Sequence, residues 1–316
     1  GSIITNLPQN FLKCSNPTGR IPSSMFKNNL PHIYAWLLLT PALILMGTFT
    51  HLPSFTTLVS SFFSTGTKKF PSKYIGLENY EMIFDDPIFL EAVLNNAWYA
   101  VATIIPSVFL AILMAVFVDS KIRGRVLVRM AYFTPTILPM IAVSNIWLFF
   151  YTPEIGLIDQ IAINLGFTSQ NWLGDKDTVL NCLIIITIWK EAGFFMIFYL
   201  AALQNIPPEL KEAAMLEGSS KFYFFRRITF PLLMPITLFV VINATLNSFK
   251  LVDHLFILTK GGPDNASNLI LYYIYETAFS FLDSSYAATL TIFLLLILAI
   301  ISIVQFILFD KRIHYR

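Results

Sequence analysis

The chain contains six apolar stretches, and each is long enough to cross a lipid bilayer as a helix. A spanning helix needs about 20 apolar residues, because each residue advances about 1.5 Å through a hydrocarbon layer about 30 Å thick. Every backbone N–H and C=O in lipid must be paired within the protein, so these stretches predict helices. The predicted spans are residues 33–53, 93–118, 126–151, 179–204, 229–249 and 285–309.

A seventh apolar stretch, Leu269 to Phe281, has only 13 residues and contains Glu276. That length is typical of a re-entrant or interfacial helix. The composition supports a membrane protein, since 56% of the residues are hydrophobic and only 13% are charged, compared with about 25% charged in soluble domains. We predict an all-α integral membrane protein with six transmembrane helices. Its scattered basic residues do not indicate nucleic-acid binding.

The distribution of basic residues predicts the orientation of the chain. Of the 21 Lys and Arg residues, 14 lie in the segments that would share a side with the N-terminus, six lie in the opposite loops, and Lys190 lies within the fourth span. The excess of positive charge marks the cytoplasmic side. We therefore predict cytoplasmic tails, residues 1–32 and 310–316, around a membrane domain at 33–309. A seventh span would place the basic C-terminal tail outside.

Two polar segments predict local structure on the outer side. In "DDPIFLEAVLNN", Asp86 is a predicted helix N-cap and Pro87 the first helical residue, and this helix runs into the second span. In "TKGGPDN", Gly261 and Gly262 admit positive φ and Pro263 prevents continuation, which predicts a turn.

The loop between the fourth and fifth spans, residues 205–228, is polar. Pro208 suits the first turn of a helix. This predicted helix has carboxylates near its N-terminus, apolar residues on one face and a glycine cap. These residues are Glu209, Glu212, Leu210, Ala213, Ala214 and Gly218. Such a helix either connects two spans along the membrane interface or docks onto a cytoplasmic partner.

The spacing in this loop favours docking. The pattern consists of Glu212-Ala213-Ala214, three residues, Gly218, nine residues, Ile228, one residue and Phe230-Pro231. It resembles the signature of binding-protein-dependent ABC importer permeases. Phe230 replaces the usual leucine. "YIGLENY" (74–80) and "LTKGGPDNAS" (258–267) are similar to the subfamily for maltose, other sugars, oligosaccharides and glycerol-3-phosphate. The resemblance runs from about residue 33 to the end.

The resemblance implies the type I permease fold in the bacterial cytoplasmic (inner) membrane. It also implies three kinds of partner: a second homologous permease, two ATPase subunits and an extracytoplasmic solute-binding protein. The loop helix would be the coupling helix seated on one ATPase. The chain lacks the G-x-x-x-x-G-K-[ST] phosphate loop, so we expect no enzymatic activity in it, and ATP and Mg to bind the ATPase subunits. We expect no metal site or cofactor in this chain.

Polar residues within spans four and five are the candidates for a substrate pathway. Lys190 and Glu191 point about 100° apart on a helix, so they either pair with other groups or face a cavity. The resemblance implies that this part of the fourth span lines the sugar site, which nominates Thr187, Lys190, Glu191 and Phe194. Asn243, Asn247 and Ser248 in the fifth span suit sugar hydroxyls, or serve ordinary interhelical hydrogen bonding. The charge of the substrate stays open.

These observations predict the permease subunit of an ATP-driven importer for a sugar, oligosaccharide or glycerol-phosphate solute. A stand-alone secondary transporter or channel is the alternative, but the helix pattern shows no paired inverted halves and a channel would not explain the loop. An intramembrane enzyme would need two or more buried catalytic groups, and only Lys190 and Glu191 are candidates.

Overall fold

A computed structural model describes residues 30–66, 70–120 and 123–310. The predicted tail 1–32 lies outside these residues except for 30–32, and the predicted tail 310–316 lies outside them except for 310. The chain divides into two compact units, 1–55 and 56–316. Within the described residues the regular structure is helical, apart from a single antiparallel bridge between Phe63 and Tyr74.

The described part of the first unit, from residue 30 onward, contains one apolar helical stretch. Helix α1 (Leu30–Met46) passes through a π-helical turn (Gly47–His51) into α2 (Leu52–Ser60), whose last residues belong to the second unit. Residues 34–60 are long and apolar enough to cross a membrane. The predicted span at 33–53 falls largely within this stretch.

The second unit begins with α3 (Glu78–Asp85) and the 33-residue α4 (Pro87–Asp119). The Asp86 carboxylate accepts the backbone N–H groups of Ile88 and Phe89 at 3.0 and 3.1 Å, and Pro87 is the first helical residue. The predicted N-cap is confirmed. Because α4 is about 50 Å long, it contains the predicted span at 93–118 and extends beyond it on the outer side.

The third predicted span, 126–151, is not one straight helix. Helix α5 (Arg125–Ile137) and helix α6 (Met140–Phe150) meet at 99°. Leu138 between them has extended backbone, with φ −71° and ψ 134°. Pro139 explains the break, because proline lacks the N–H that a helix needs and disfavours helical geometry in the residue before it.

Helix α7 (Leu157–Asn164) follows on the outer side and leads to α8 (Val179–Gln204), the centre of the second unit. Buried side chains occur all around α8, as expected of a helix surrounded by others. It packs along α4 and against α5. Small residues such as Ala111 and Ala115 on α4 are fully buried in this core and allow close helix packing.

The polar loop after α8 forms helix α9 (Pro208–Leu216) and then joins the fifth span without a break. Helix α10 (Lys221–Phe224) continues through a π-helical turn (Phe225–Thr229) into α11 (Phe230–Lys250). The residues at the junctions between these segments, Phe224, Phe225 and Phe230, have helical backbone angles. The helical backbone is therefore continuous from Lys221 to Lys250, whereas the turn at Gly218 separates α9 from it.

Three helices complete the chain: α12 (Asp253–Leu258), α13 (Ile270–Phe279) and α14 (Ser284–Asp310). The seventh apolar stretch forms the ten-residue α13, about 15 Å long and half the thickness of the hydrocarbon layer. Five helical stretches among the described residues are long and apolar enough to span, and the α5–α6 pair makes six. The predicted number of spans follows.

Candidate coupling loop and transmembrane polar site

Helix α9 carries the candidate coupling residues on a short, exposed segment. Glu209 lies in its first turn, and Glu212 and Ala213 are also exposed, whereas Ala214 is buried. The exposed surface also contains large apolar side chains, Met215 and Leu216, with exposed fractions of 61% and 90%. An exposed apolar surface flanked by charges is typical of a protein contact.

Gly218 ends this helix. Its φ is +72°, in the left-handed region that glycine adopts most readily. The Gly218 N–H donates to the Met215 carbonyl at 3.1 Å, and the Ser219 N–H donates to the Ala214 carbonyl at 2.9 Å. This pair of hydrogen bonds is the Schellman arrangement, so the predicted glycine cap is confirmed. Ser220 then caps the next helix by accepting the Tyr223 N–H at 3.2 Å.

Four of the candidate pathway residues come together inside the membrane domain. Asn247 Nδ2 donates to Glu191 Oε2 at 2.8 Å, which joins the fifth span to the fourth. Together with Thr187 and Ser248 they line one small cavity, which α4 closes with Thr103 and Ser107. Its volume is about 10 Å³, enough for about one water molecule and too small for a sugar.

Lys190 points in a different direction from Glu191. Its ammonium nitrogen donates to the carbonyl oxygens of Pro135, Thr136 and Leu138 at 3.0, 3.2 and 2.7 Å. All three lie at the break between α5 and α6. The ammonium group of Lys190, which belongs to the fourth span, therefore contacts the third span. The described residues contain no salt bridge between Lys190 and Glu191.

The two remaining candidates lie away from the cavity. The Phe194 ring packs against Phe195 and Phe198, with ring centroids 5.5 and 5.2 Å apart. The Asn243 amide donates to the carbonyl of Phe239 in its own helix at 2.8 Å. Both side chains are partly exposed, and neither lines the polar cavity.

The polar site includes residues that sequence reasoning missed. Tyr99 Oη on α4 lies 2.6 Å from Thr187 Oγ1 and 3.2 Å from His254 Nε2. Ser107 Oγ is buried at the cavity without a hydrogen-bond partner. A tyrosine and two serine or threonine residues within the apolar second span were a visible signal. Nothing in the sequence shows that they face the fourth span.

No group of three or more metal-binding side chains lies close together within the residues described.

Outside the membrane, Asp159 at the start of α7 is buried and accepts hydrogen bonds from Ser169 Oγ, Trp172 Nε1 and the backbone N–H groups of Glu154 and Gln170. Its carboxylate organises the outer loop and has no free oxygen lone pair directed at a solvent-filled site.

Comparison with known proteins finds permeases of similar sequence. The probable ABC transporter permease protein YurN of Bacillus subtilis (strain 168) is 32% identical over 281 residues, which cover 88% of this chain and 96% of the relative. The probable starch degradation products transport system permease protein AmyD of Thermoanaerobacterium thermosulfurigenes is 31% identical over 293 residues, covering 92% and 97%.

A solved structure shares the fold. The crystal structure of a bacterial ABC transporter involved in the import of the acidic polysaccharide alginate aligns with a TM-score of 0.81 and 20% identity, covering 92% of this chain and 99% of that chain. Residues 80–315 match the family model described as the binding-protein-dependent transport system inner membrane component. The chain belongs to this family and is a multi-pass permease subunit of an ABC importer.

Proposed function

We propose that this permease subunit imports a sugar or oligosaccharide, with other solutes rich in hydroxyl groups, such as glycerol phosphates, as the second candidate class. Among its relatives, AmyD has starch degradation products in its name. The single observation that carries the proposal is the polar cluster of Thr187, Glu191, Asn247 and Ser248 on two facing spans. Hydroxyl, amide and carboxylate groups suit the hydrogen bonding of sugar hydroxyls.

The complete transporter contains this chain, a second homologous permease, two ATPase subunits and an extracytoplasmic binding protein. A cavity of about 10 Å³ inside one chain does not hold a sugar. The solute therefore passes between the two permeases, with the polar cluster, Phe194 and Asn243 contributing from this side. Alternating access by rigid-body motion of the spans would then open the pathway to one side at a time.

The coupling residues are Glu209, Glu212, Ala213, Ala214 and Gly218. In this proposal α9 sits in a cleft of one ATPase, and Glu209 and Glu212 contact basic groups there. ATP binding moves the ATPase subunits together and displaces α9. The continuous helix from Lys221 to Lys250 carries that displacement into the fifth span.

Purification with the partner subunits tests the assembly. The tagged permease should co-purify with a second six-span permease and an ATPase, and uptake into proteoliposomes should require ATP and the binding protein. The substrate follows from screening that binding protein against maltodextrins, other oligosaccharides, uronate oligosaccharides and glycerol-3-phosphate. Transport by the isolated chain without ATP would contradict the proposal.

A substitution at Gly218 tests the coupling role. Nothing lies within 4 Å of the position that a Cβ would occupy, so the effect of a side chain there comes from the backbone. Gly218→Val should disrupt the cap, because a β-branched residue strongly disfavours positive φ. We expect uptake to fall while ATP hydrolysis continues. Gly218→Asn is the matched control, since Asn tolerates left-handed geometry; equal uptake by both variants would contradict the role.

A further inference from the structure

The ammonium group of Lys190 uses all its donors on the break in the third span. A lysine ammonium has three N–H donors, and the structure shows three carbonyl acceptors, of Pro135, Thr136 and Leu138. Hydrogen bonds from a charged donor are about twice as strong as neutral ones. A charged side chain within a span is costly unless it is paired in this way.

These carbonyls need a donor because the helix ends there. The Pro135 carbonyl would ordinarily accept the N–H of residue 139, which is a proline and has none. The last carbonyls of a helix are unsatisfied and carry the negative end of its dipole. Lys190 therefore supplies both hydrogen bonds and a positive charge at the C-terminus of α5.

A second contact holds the same two helices together. A Cβ added to Gly193 would lie 2.1 Å from the backbone oxygen of Tyr132 and 3.4 Å from Thr136 Oγ1. Only glycine therefore fits α8 where it meets α5. The Thr136 hydroxyl also donates to the Lys190 carbonyl at 3.2 Å. Lys190 and Gly193 are three residues apart, so they lie on one face of α8.

The two halves of the third span have different neighbours. Helix α5 packs against α8, whereas α6 packs chiefly against α12. Helix α8 ends at Gln204, four residues before the coupling helix begins. A displacement of the coupling loop can thus reach α8 as well as the fifth span, and the contacts of Lys190 and Gly193 connect α8 to α5.

We propose that Lys190 is a positioning residue that fastens the cytoplasmic half of the broken third span to the fourth span, so that α5 and α8 move as one body with the coupling loop. This inference rests on the proposed function. It assigns Lys190 to the transmission of movement and leaves solute contact to the other residues of the proposed pathway. The break at Leu138-Pro139 then separates the moving half-span from α6.

The test compares Lys190→Met with Lys190→Arg in the complete transporter, reconstituted in proteoliposomes with its binding protein. The maximal uptake rate, the apparent KM for the solute and the ATP hydrolysed per solute are measured. We expect Lys190→Met to lower maximal uptake about tenfold and to raise the ATP used per solute, because three charge-assisted hydrogen bonds are lost. The apparent KM should stay within about twofold, since no solute contact is removed.

Lys190→Arg should restore most of the uptake, because a guanidinium can also donate to several carbonyls. Lys250→Met is the matched control, since it removes an exposed positive charge from the end of the fifth span; it should transport like the wild type. A rescue by Arg separates a specific contact from a general loss of structure.

Gly193→Ala provides an independent variant, because its methyl group would force α5 and α8 apart. It should show the same loss of coupling at unchanged KM, while Gly47→Ala, with nothing within 4 Å of the added atom, should not. If the transporter with Lys190→Met does not assemble, the coupling measured with Gly193→Ala tests the inference instead. A raised KM with normal coupling in Lys190→Met, or normal coupling in Gly193→Ala, overturns the inference. An inactive wild-type complex would instead contradict the proposed function.

Discussion

A single carboxylate, Asp86, holds three helices together at the outer end of the membrane domain. One of its oxygens caps α4, and the other accepts the hydroxyl groups of Tyr273 on α13 and Tyr286 on α14 at 2.6 and 2.7 Å. Both tyrosines are buried, with 5% and 7% of their surface exposed. Removing the carboxylate would leave their hydroxyl groups without an acceptor.

We predict that Asp86→Ala destabilises the membrane domain by about 2–4 kcal/mol, the sum of a lost cap and two unpaired buried hydroxyls. Thermal unfolding in detergent measures the change. Asp86→Asn should lose less, because an amide oxygen still caps a helix. Asp85→Ala is the control, since Asp85 is adjacent and exposed. Equal melting temperatures for the two alanine variants would contradict this account.

Asp86 also shows how far a sequence predicts a residue's contacts. Its role as a cap follows from "DDP", because the acceptor and its N–H donors are two and three residues apart. The tyrosines are 187 and 200 residues away, and no local pattern points to them. Lys190 is similar: its sequence position shows a costly charge in a span, whereas its carbonyl partners depend on how α8 packs against α5.

At the scale of elements, local chemistry predicts where a helix ends better than whether it is straight or bent. The spacing around Gly218 predicts the cap that the structure contains. The continuous apolar run at 126–151 predicts a span, but its length does not show the 99° bend. Pro135 and Pro139 were visible, yet neighbouring helices allow prolines within many spans. The carbonyls that this bend leaves without helical partners accept hydrogen bonds from Lys190.

The outer loop before α8 depends on an ionised group. Hydrogen bonds lower the pKa of Asp159 to about 2, chiefly the one from Ser169, although burial alone would raise it. Since the folded-state pKa lies below the ordinary value of 3.8, the stabilisation is complete above that value and is lost as the pH falls towards 2. The loop should therefore loosen in this acidic range.

We predict that pepsin cleaves residues 154–172 faster at pH 2 than at pH 4, after correction for the activity of pepsin on an unstructured peptide. Asp159→Asn should be cleaved readily at both pH values, because it lacks the charge that its donors stabilise. Asp177→Asn in the same loop is the control, since Asp177 is exposed, and it should behave like the wild type. The same pH dependence in wild type and Asp159→Asn would contradict the role of Asp159.

At the scale of the whole chain, the number of spans fixes which side the C-terminus occupies. Helix α13 is the element that would add a seventh span, and its contacts place it beside the outer part of α4. The backbone N–H of Ile270 donates to Asn96 Oδ1 at 3.3 Å, and Tyr273 bonds Asp86 near the start of α4. Helix α13 therefore does not cross the membrane.

We predict that both termini are cytoplasmic. Green fluorescent protein fused after Arg316 should fluoresce, and alkaline phosphatase at the same position should be inactive, because each folds in only one compartment. A phosphatase fusion after Phe281 is the matched control and should be active, since α13 and the turn that follows it lie outside. With seven spans these activities would be exchanged, so an active phosphatase after Arg316 would contradict the six-span fold.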